Sequence, residues 1–294
     1  MTFAAPVTTR VQIHDILLTT DFSEISELAL GYAVNMARCY GSNLVITHVV
    51  PNEPYLAVPL EPIPVDIDVF WEREKKNLAR FAASKSLEEI PHEAILRRGE
   101  LWSVISDVIE SKKIDFVITG THGRKGLRKV FMGSAAEKIY RQATCPVLTI
   151  NPESVSTHQS NWPPKRILFA TDFFETSVHA LPYALSLAEE NQAVLTLLHV
   201  APLVPYQYKD SVTEANRKRL QALLPDGSMC TADCVVTFDF PAQGILEIAH
   251  ERQVDLVVLG VSRHASVGLT SHLPWSVASD VVSAAPCPVL TVRG

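Results

Sequence analysis

The chain repeats itself, and that constrains its architecture more than any single motif does. Ile16-Leu17-Leu18-Thr19-Thr20-Asp21-Phe22 returns as Ile167-Leu168-Phe169-Ala170-Thr171-Asp172-Phe173. Val45-Ile46-Thr47-His48-Val49 returns within Leu195–Val200, with one register adjustment that keeps His-Val. Ile114–Gly120 returns as Val254–Gly260, and Cys145-Pro146-Val147-Leu148-Thr149 as Cys287-Pro288-Val289-Leu290-Thr291. At 294 residues the chain also exceeds one ordinary core and suggests two domains. The stretch NPESVSTHQSNWPP is polar and ends in Pro-Pro, which reads as a linker. The expected layout is therefore a domain at 1–150, a linker at 151–164 and a second domain at 165–294.

Each copy alternates strand and helix signals. Val11–Thr20 reads as a strand. The following SEISELALGYAVNMARCYG has apolar residues at helical spacing and stops at Gly41, a natural residue just past a helix. Asn43–Val50 is a buried strand. The proline-studded segment from Pro51 to about Pro64 is a loop, and a charged helix is expected over Val69–Leu87. A strand at Ala94–Arg98, a helix at Leu101–Lys112, a strand at Phe116–Gly120, a helix from Ser134 and a last strand at Pro146–Ile150 complete the copy. This order predicts an α/β fold with a doubly wound parallel sheet in each half. The second copy is shorter between Asp172 and Gly260 than the first is between Asp21 and Gly120, and the loss is expected in the proline-rich loop.

Composition narrows the function. Apolar residues make up 47% and charged residues 20%, ordinary for a globular protein. The net charge of −6 argues against a broad nucleic-acid face, and no basic stripe interleaves with aromatics. The N-terminus lacks signal-peptide character, and no apolar run reaches the roughly 18 residues of a membrane span. Five cysteines without C-x-x-C fit a reducing, cytoplasmic setting, and Cys230-x-x-x-Cys234 lacks neighbours for a metal clip.

The chemistry concentrates at Gly120–Ser134. Glycines fall as Gly120-x-x-Gly123-(nine residues)-Gly133-Ser134, between a strand and a helix. Such a junction suits a polyanion, because glycine permits close backbone approach and a helix N-terminus supplies unpaired N–H donors. The structural alternatives are a strand-ending turn at Gly120 and a capping box at Ser134-x-x-Glu137. The spacing resembles the ATP-binding signature of the universal stress protein family. THGR after Gly120, GSAAEKI at the helix start and ATCPVLTI in the last strand agree with it. Both halves resemble that family's domain.

The resemblance implies strand order 3-2-1-4-5 in each half, which places the first and fourth strands side by side and Asp21 and Gly120 at one crevice. It implies ATP as ligand, with Mg2+ as an accompanying ion. Asp21 would accept hydrogen bonds from adenosine, although position alone equally fits a helix cap. Thr20 and Val49 would frame the base. Gly123, Gly133, Ser134 and Ala135 would hold phosphates through backbone N–H groups, and Thr121, His122 and Arg124 lie on the same loop. His48 and His199 are better explained by packing or a satisfied core hydrogen bond. The closing strands Pro146–Ile150 and Pro288–Val292 are expected to pair within the chain as the family pairs subunits, making an intramolecular pseudo-dimer; a further homodimer stays open.

The second copy departs from the pattern. Asp172 and Gly260 persist and Ser276 matches Ser134, but Trp275 stands in place of Gly133, Arg263 in place of Gly123, and Pro274 precedes the tryptophan. A Cβ and an indole there would block backbone approach, so this half is expected to have lost the family's ATP site. No Walker G-x-x-x-x-G-K-[ST] and no G-x-S-x-G elbow occurs. Three functions follow: a cytoplasmic ATP-binding stress or regulatory protein acting on a protein partner, with slow or no hydrolysis; a tandem interaction or apolar-ligand module; and a slow ATPase or phosphotransfer enzyme. The first is preferred.

Overall fold

The computed structural model describes residues 11–52, 55–56, 63–64, 67–121, 134–157, 162–261 and 274–294. In the first half the order is β1 (Asp15–Thr19), α1 (Glu24–Tyr40), β2 (Asn43–Val50), a short antiparallel pair β3 (Tyr55–Leu56) and β4 (Ile63–Pro64), and α2 (Ile67–Ala82). Then come β5 (His92–Arg98), α3 (Leu101–Lys112), β6 (Phe116–Gly120), α4 (Ser134–Gln142) and β7 (Val147–Ile150). The second half runs β8 (Arg166–Ala170), α5 (Glu175–Val178), α6 (Leu181–Asn191), β9 (Val194–Ala201), α7 (Tyr206–Gln221) and β10 (Thr231–Phe238). It closes with α8 (Pro241–Glu251), β11 (Leu256–Val261), α9 (Pro274–Ala284) and β12 (Val289–Arg293).

Ten strands form one sheet in the order β10-β9-β8-β11-β12-β7-β6-β1-β2-β5. Each half thus contributes the 3-2-1-4-5 order, parallel throughout, and the halves meet through the antiparallel pair β7–β12. Leu148 faces Leu290 at that seam, and the hydroxyls of Thr149 and Thr291 donate to the Val289 and Val147 carbonyls at 3.0 and 3.3 Å. Two edges that would otherwise be exposed are consumed inside the chain.

Strand residues alternate between two core layers, which is why these strands read as continuous apolar runs. On β1, Ile16 and Leu18 join the layer under α1, α2, α6 and α7, while Leu17 joins the layer under α3, α4, α8 and α9. Each such fully buried aliphatic contributes about 1.5–3 kcal/mol by leaving water. The aspartate that opens the repeated Ile114-Asp115 and Val254-Asp255 motif is structural: Asp115 Oδ2 accepts the His14 and Asp15 amides, and Asp255 Oδ2 those of Lys165 and Arg166.

Several boundaries differ from expectation. β1 starts at Asp15; upstream of it the His14 amide donates to Asp115 Oδ2 and the Val11 amide to Ser186 Oγ of the other half, both at 2.8 Å. α2 stops at Ala82, since Ser84 is extended and a short 3-10 turn carries Leu87 into the core. The second half's shortening falls where predicted: residues 51–66 separate β2 from α2, but only 202–205 separate β9 from α7. Within the expected linker, residues 152–157 form a 3-10 helix. Asn151 just before it is buried, with Nδ2 donating to the Val282 and Ala285 carbonyls, both at 3.0 Å. Arg293 Nη1 reciprocates on the Gln142 carbonyl at 2.8 Å, so each half's last strand reaches the last helix of the other.

Candidate functional site

Parallel pairing of Leu18 with Ile118 brings the C-terminal ends of β1 and β6 together, with α1 and α4 packed into opposite core layers of the sheet. That geometry opens a crevice where ligands of such sheets sit. Its floor is hydroxylic: Thr19 Oγ1 donates to Thr119 Oγ1 at 2.7 Å. The Thr20 amide donates to the Thr47 carbonyl at 3.0 Å, and Thr20 Oγ1 accepts the Phe22 amide at 3.0 Å. Phe22 takes a left-handed φ of 63°, uncommon for a bulky residue, and its ring lies 4.5 Å from that of His48. His48 Nδ1 donates to the Thr20 carbonyl at 2.7 Å, the satisfied core role expected of it. Its Nε2 lies 3.3 Å from the carboxylate of Glu74, which is fully buried and also meets Arg73 Nε at 3.0 Å.

Asp21 is half-buried, and its Oδ1 accepts the Ser23 amide (3.1 Å), Ser23 Oγ (2.6 Å) and Ser26 Oγ (2.7 Å). Ser23 Oγ in turn caps α1 by accepting the Ser26 amide. The carboxylate therefore organises the helix start at the crevice edge. Val49 lies on β2 and is half-buried. Gly120 ends β6, and a Cβ there would stand 2.8 Å from Ile25 Cγ2, so packing against α1 favours glycine at this position. Thr121 is buried, its amide donating to the Ile150 carbonyl at 2.8 Å. His122, Gly123, Arg124 and Gly133 lie outside the described residues, as does the Ser134–Glu137 cap. Ser134 is the first residue of α4, and Ala135 is exposed.

The second half keeps the backbone and changes the chemistry. Phe173 is again left-handed (φ 67°) and Thr171 Oγ1 accepts its amide at 2.9 Å. His199 Nδ1 donates to the Thr171 carbonyl at 2.9 Å, while Arg219 stacks on Phe173 at 3.8 Å. Burial above all holds the His199 imidazole below its usual range, opposed by the Thr171 bond and reinforced by Arg219. Asp172 is exposed and accepts the Phe174 amide at 3.0 Å. A Cβ on Gly260 would fall 2.6 Å from Ser177 Cα and meet the Thr176 carbonyl. Arg263 lies outside the described residues; Trp275 and Ser276 are in the first turn of α9.

Beyond the ends of β8, β9 and β11 lies a cavity of about 450 Å³. At five lining positions it is apolar where the first half is polar, while Thr171, Asp172 and Ser177 match Thr20, Asp21 and Ser26. Ala170 and Leu259 replace the Thr19–Thr119 pair, Leu198 replaces Thr47, and Phe174 and Phe240 replace Ser23 and Glu100. These lining residues were not singled out from sequence, nor was Glu74. Comparing the two copies for loss of hydroxyls would have found the former; no local signal marks the latter.

Among the described residues no cluster of three or more His, Cys, Asp or Glu is placed to hold a metal, and no helix is long and apolar enough to cross a membrane. Burial pushes the Cys145 and Cys287 thiols up to about 12, which keeps both protonated and poorly nucleophilic.

The family model described as "Universal stress protein family" matches residues 12–151 and again 163–293. The chain belongs to the universal stress protein family. It is a tandem member: a universal stress protein of Mycolicibacterium smegmatis is 26% identical over 298 aligned residues, covering 95% of this chain and 97% of that one. A universal stress protein of Methanocaldococcus jannaschii is 29% identical over 143 residues, covering 46% of this chain and 80% of that one. The crystal structure of a universal stress protein from Archaeoglobus fulgidus superposes with a TM-score of 0.67 at 18% identity, covering 95% of this chain and 98% of that one. At that identity the likeness is one of fold.

Proposed function

We propose that the first half, residues 1–150, binds an adenine nucleotide, ATP in the first instance, and that the protein is a cytoplasmic stress-response regulator that signals nucleotide state to a protein partner. The observation carrying this is the contrast between two matching sheet halves: Thr19, Thr119 and Thr47 stand in the first where Ala170, Leu259 and Leu198 line the cavity of the second, and the G-x-x-G-x(9)-G-S spacing occurs in the first alone. In this reading Thr20, Asp21 and Val49 face the nucleoside. Gly120, Thr121, His122, Gly123, Arg124, Gly133, Ser134 and Ala135 surround the phosphates, where the start of α4 adds its N–H donors. Mg2+ would accompany the phosphates as a passenger.

Slow or absent hydrolysis is part of the proposal. Asp21 Oδ1 is engaged by three hydrogen bonds at the helix start, and the sequence offers no Walker loop or G-x-S-x-G elbow to supply a nucleophile. The deciding experiment is to denature the purified chain and quantify released adenine nucleotide, then titrate the stripped protein with Mg·ATP. A single nucleotide per chain, lost in Gly123→Val, supports the reading. No binding after exchange with Mg·ATP overturns it, and turnover well above background that Asp21→Ala abolishes would make the protein an enzyme.

A further inference from the structure

The second-half crevice gives up stabilising groups in order to be apolar. In the first half Ser23 Oγ caps α1, and Glu100 Oε2 accepts the Ser103 amide at 2.9 Å to cap α3. The equivalent positions, Phe174 before α5 and Phe240 before α8, make no side-chain cap, a loss that weakens a helix start. Both rings are instead held toward solvent, 70% and 69% exposed, beside Leu203 at 69%. All three line the 450 Å³ cavity, so large exposed apolar side chains stand at its mouth.

The interior continues that character. Ala170, Leu198 and Leu259 stand where the first half has threonines, and the volume falls within the span of small-molecule sites, about 300–1,000 Å³. Among the described residues, the charged groups lining the cavity are the carboxylates of Asp172 and Asp239, each engaged by the amide of the aromatic beside it. They repel a polyanion and leave a neutral ligand unopposed. We infer that the crevice of the second half is a binding site for an uncharged hydrophobic small molecule, so that the tandem chain joins a polar site and an apolar one on the same sheet. This inference is independent of nucleotide binding by the first half.

The test is titration of the full chain with the uncharged solvatochromic dye Nile red, for wild type and two variants. One is Phe174→Ser with Phe240→Glu, which restores the first-half residues and their helix caps; the other is Leu203→Asn. Saturable single-site binding by wild type is expected, weakened about tenfold or more by the double variant and measurably by Leu203→Asn. Thermal denaturation should leave the double variant at least as stable as wild type. Gly123→Val should bind the dye unchanged, so failure of the nucleotide reading is separable. No saturable binding, unaltered affinity in both variants, or displacement of the dye by Mg·ATP would each overturn the assignment.

Discussion

Thr19 Oγ1 donates to Thr119 Oγ1 at 2.7 Å across β1 and β6, and the same two positions in the second copy are Ala170 and Leu259, on strands in the same register. One hydrogen bond thus marks the divergence of two otherwise matching halves. The turn that follows is conserved between the copies in physical detail, down to a left-handed phenylalanine and a histidine bonded to the preceding carbonyl. What changed is the chemistry of the floor.

The two strand-ending glycines should differ in tolerance. A Cβ at Gly260 meets backbone of α5 that cannot rotate away, whereas at Gly120 it meets the Ile25 side chain, which can. Urea unfolding should place Gly260→Ala about 2–3 kcal/mol below wild type, with Gly120→Ala closer to about 1 kcal/mol. Equal effects would mean that α5 yields as readily as a side chain.

Asn151 should act as a fastener between the halves. Asn151→Ala strands two buried carbonyls at the end of α9 and the groups of Ser154 that Asn151 Oδ1 accepts, for a loss of about 2–4 kcal/mol. Asn151→Asp should be worse near neutral pH, because a carboxylate would oppose the negative end of that helix. Denaturant titration of both variants at pH 7 and pH 4 checks the order, which should narrow in acid.

Acid should weaken the fold through His199. Its folded-state pKa lies below the unfolded one, so the unfolded chain binds the proton first as pH falls. The contribution is intact above the ordinary imidazole value of about 6.5, is lost as pH drops through it, and levels off below the folded value. His199→Gln, whose amide can still donate to Thr171, should flatten the melting temperature between about pH 7 and about pH 5.

The buried thiols should be silent. Cys145 and Cys287, both raised to about 12, should resist iodoacetamide at pH 8 in the native protein and react once it is unfolded. Cys39, exposed and only partly shielded, should label first. Mass spectrometry of tryptic peptides reads the order directly.

Sequence alone determined the tandem repeat, the strand–helix alternation, and elements such as Asn43–Val50 and Leu101–Lys112 to the residue. These rest on periodicity and on terminators such as Gly41, which act over a few neighbours and are written in the letters. The pairing of the closing strands and the 3-2-1-4-5 order came through resemblance, and the sheet bears them out. Tertiary structure decided what depends on residues distant in the chain. It placed Glu74 against His48, gave Gly120 and Gly260 their packing role, and revealed an apolar cavity beside the altered glycine motif of the second half. Threonines 19 and 119 are unremarkable in their own segments. Only the sheet, by laying β1 beside β6, turns them into one floor and turns Ala170 and Leu259 into another.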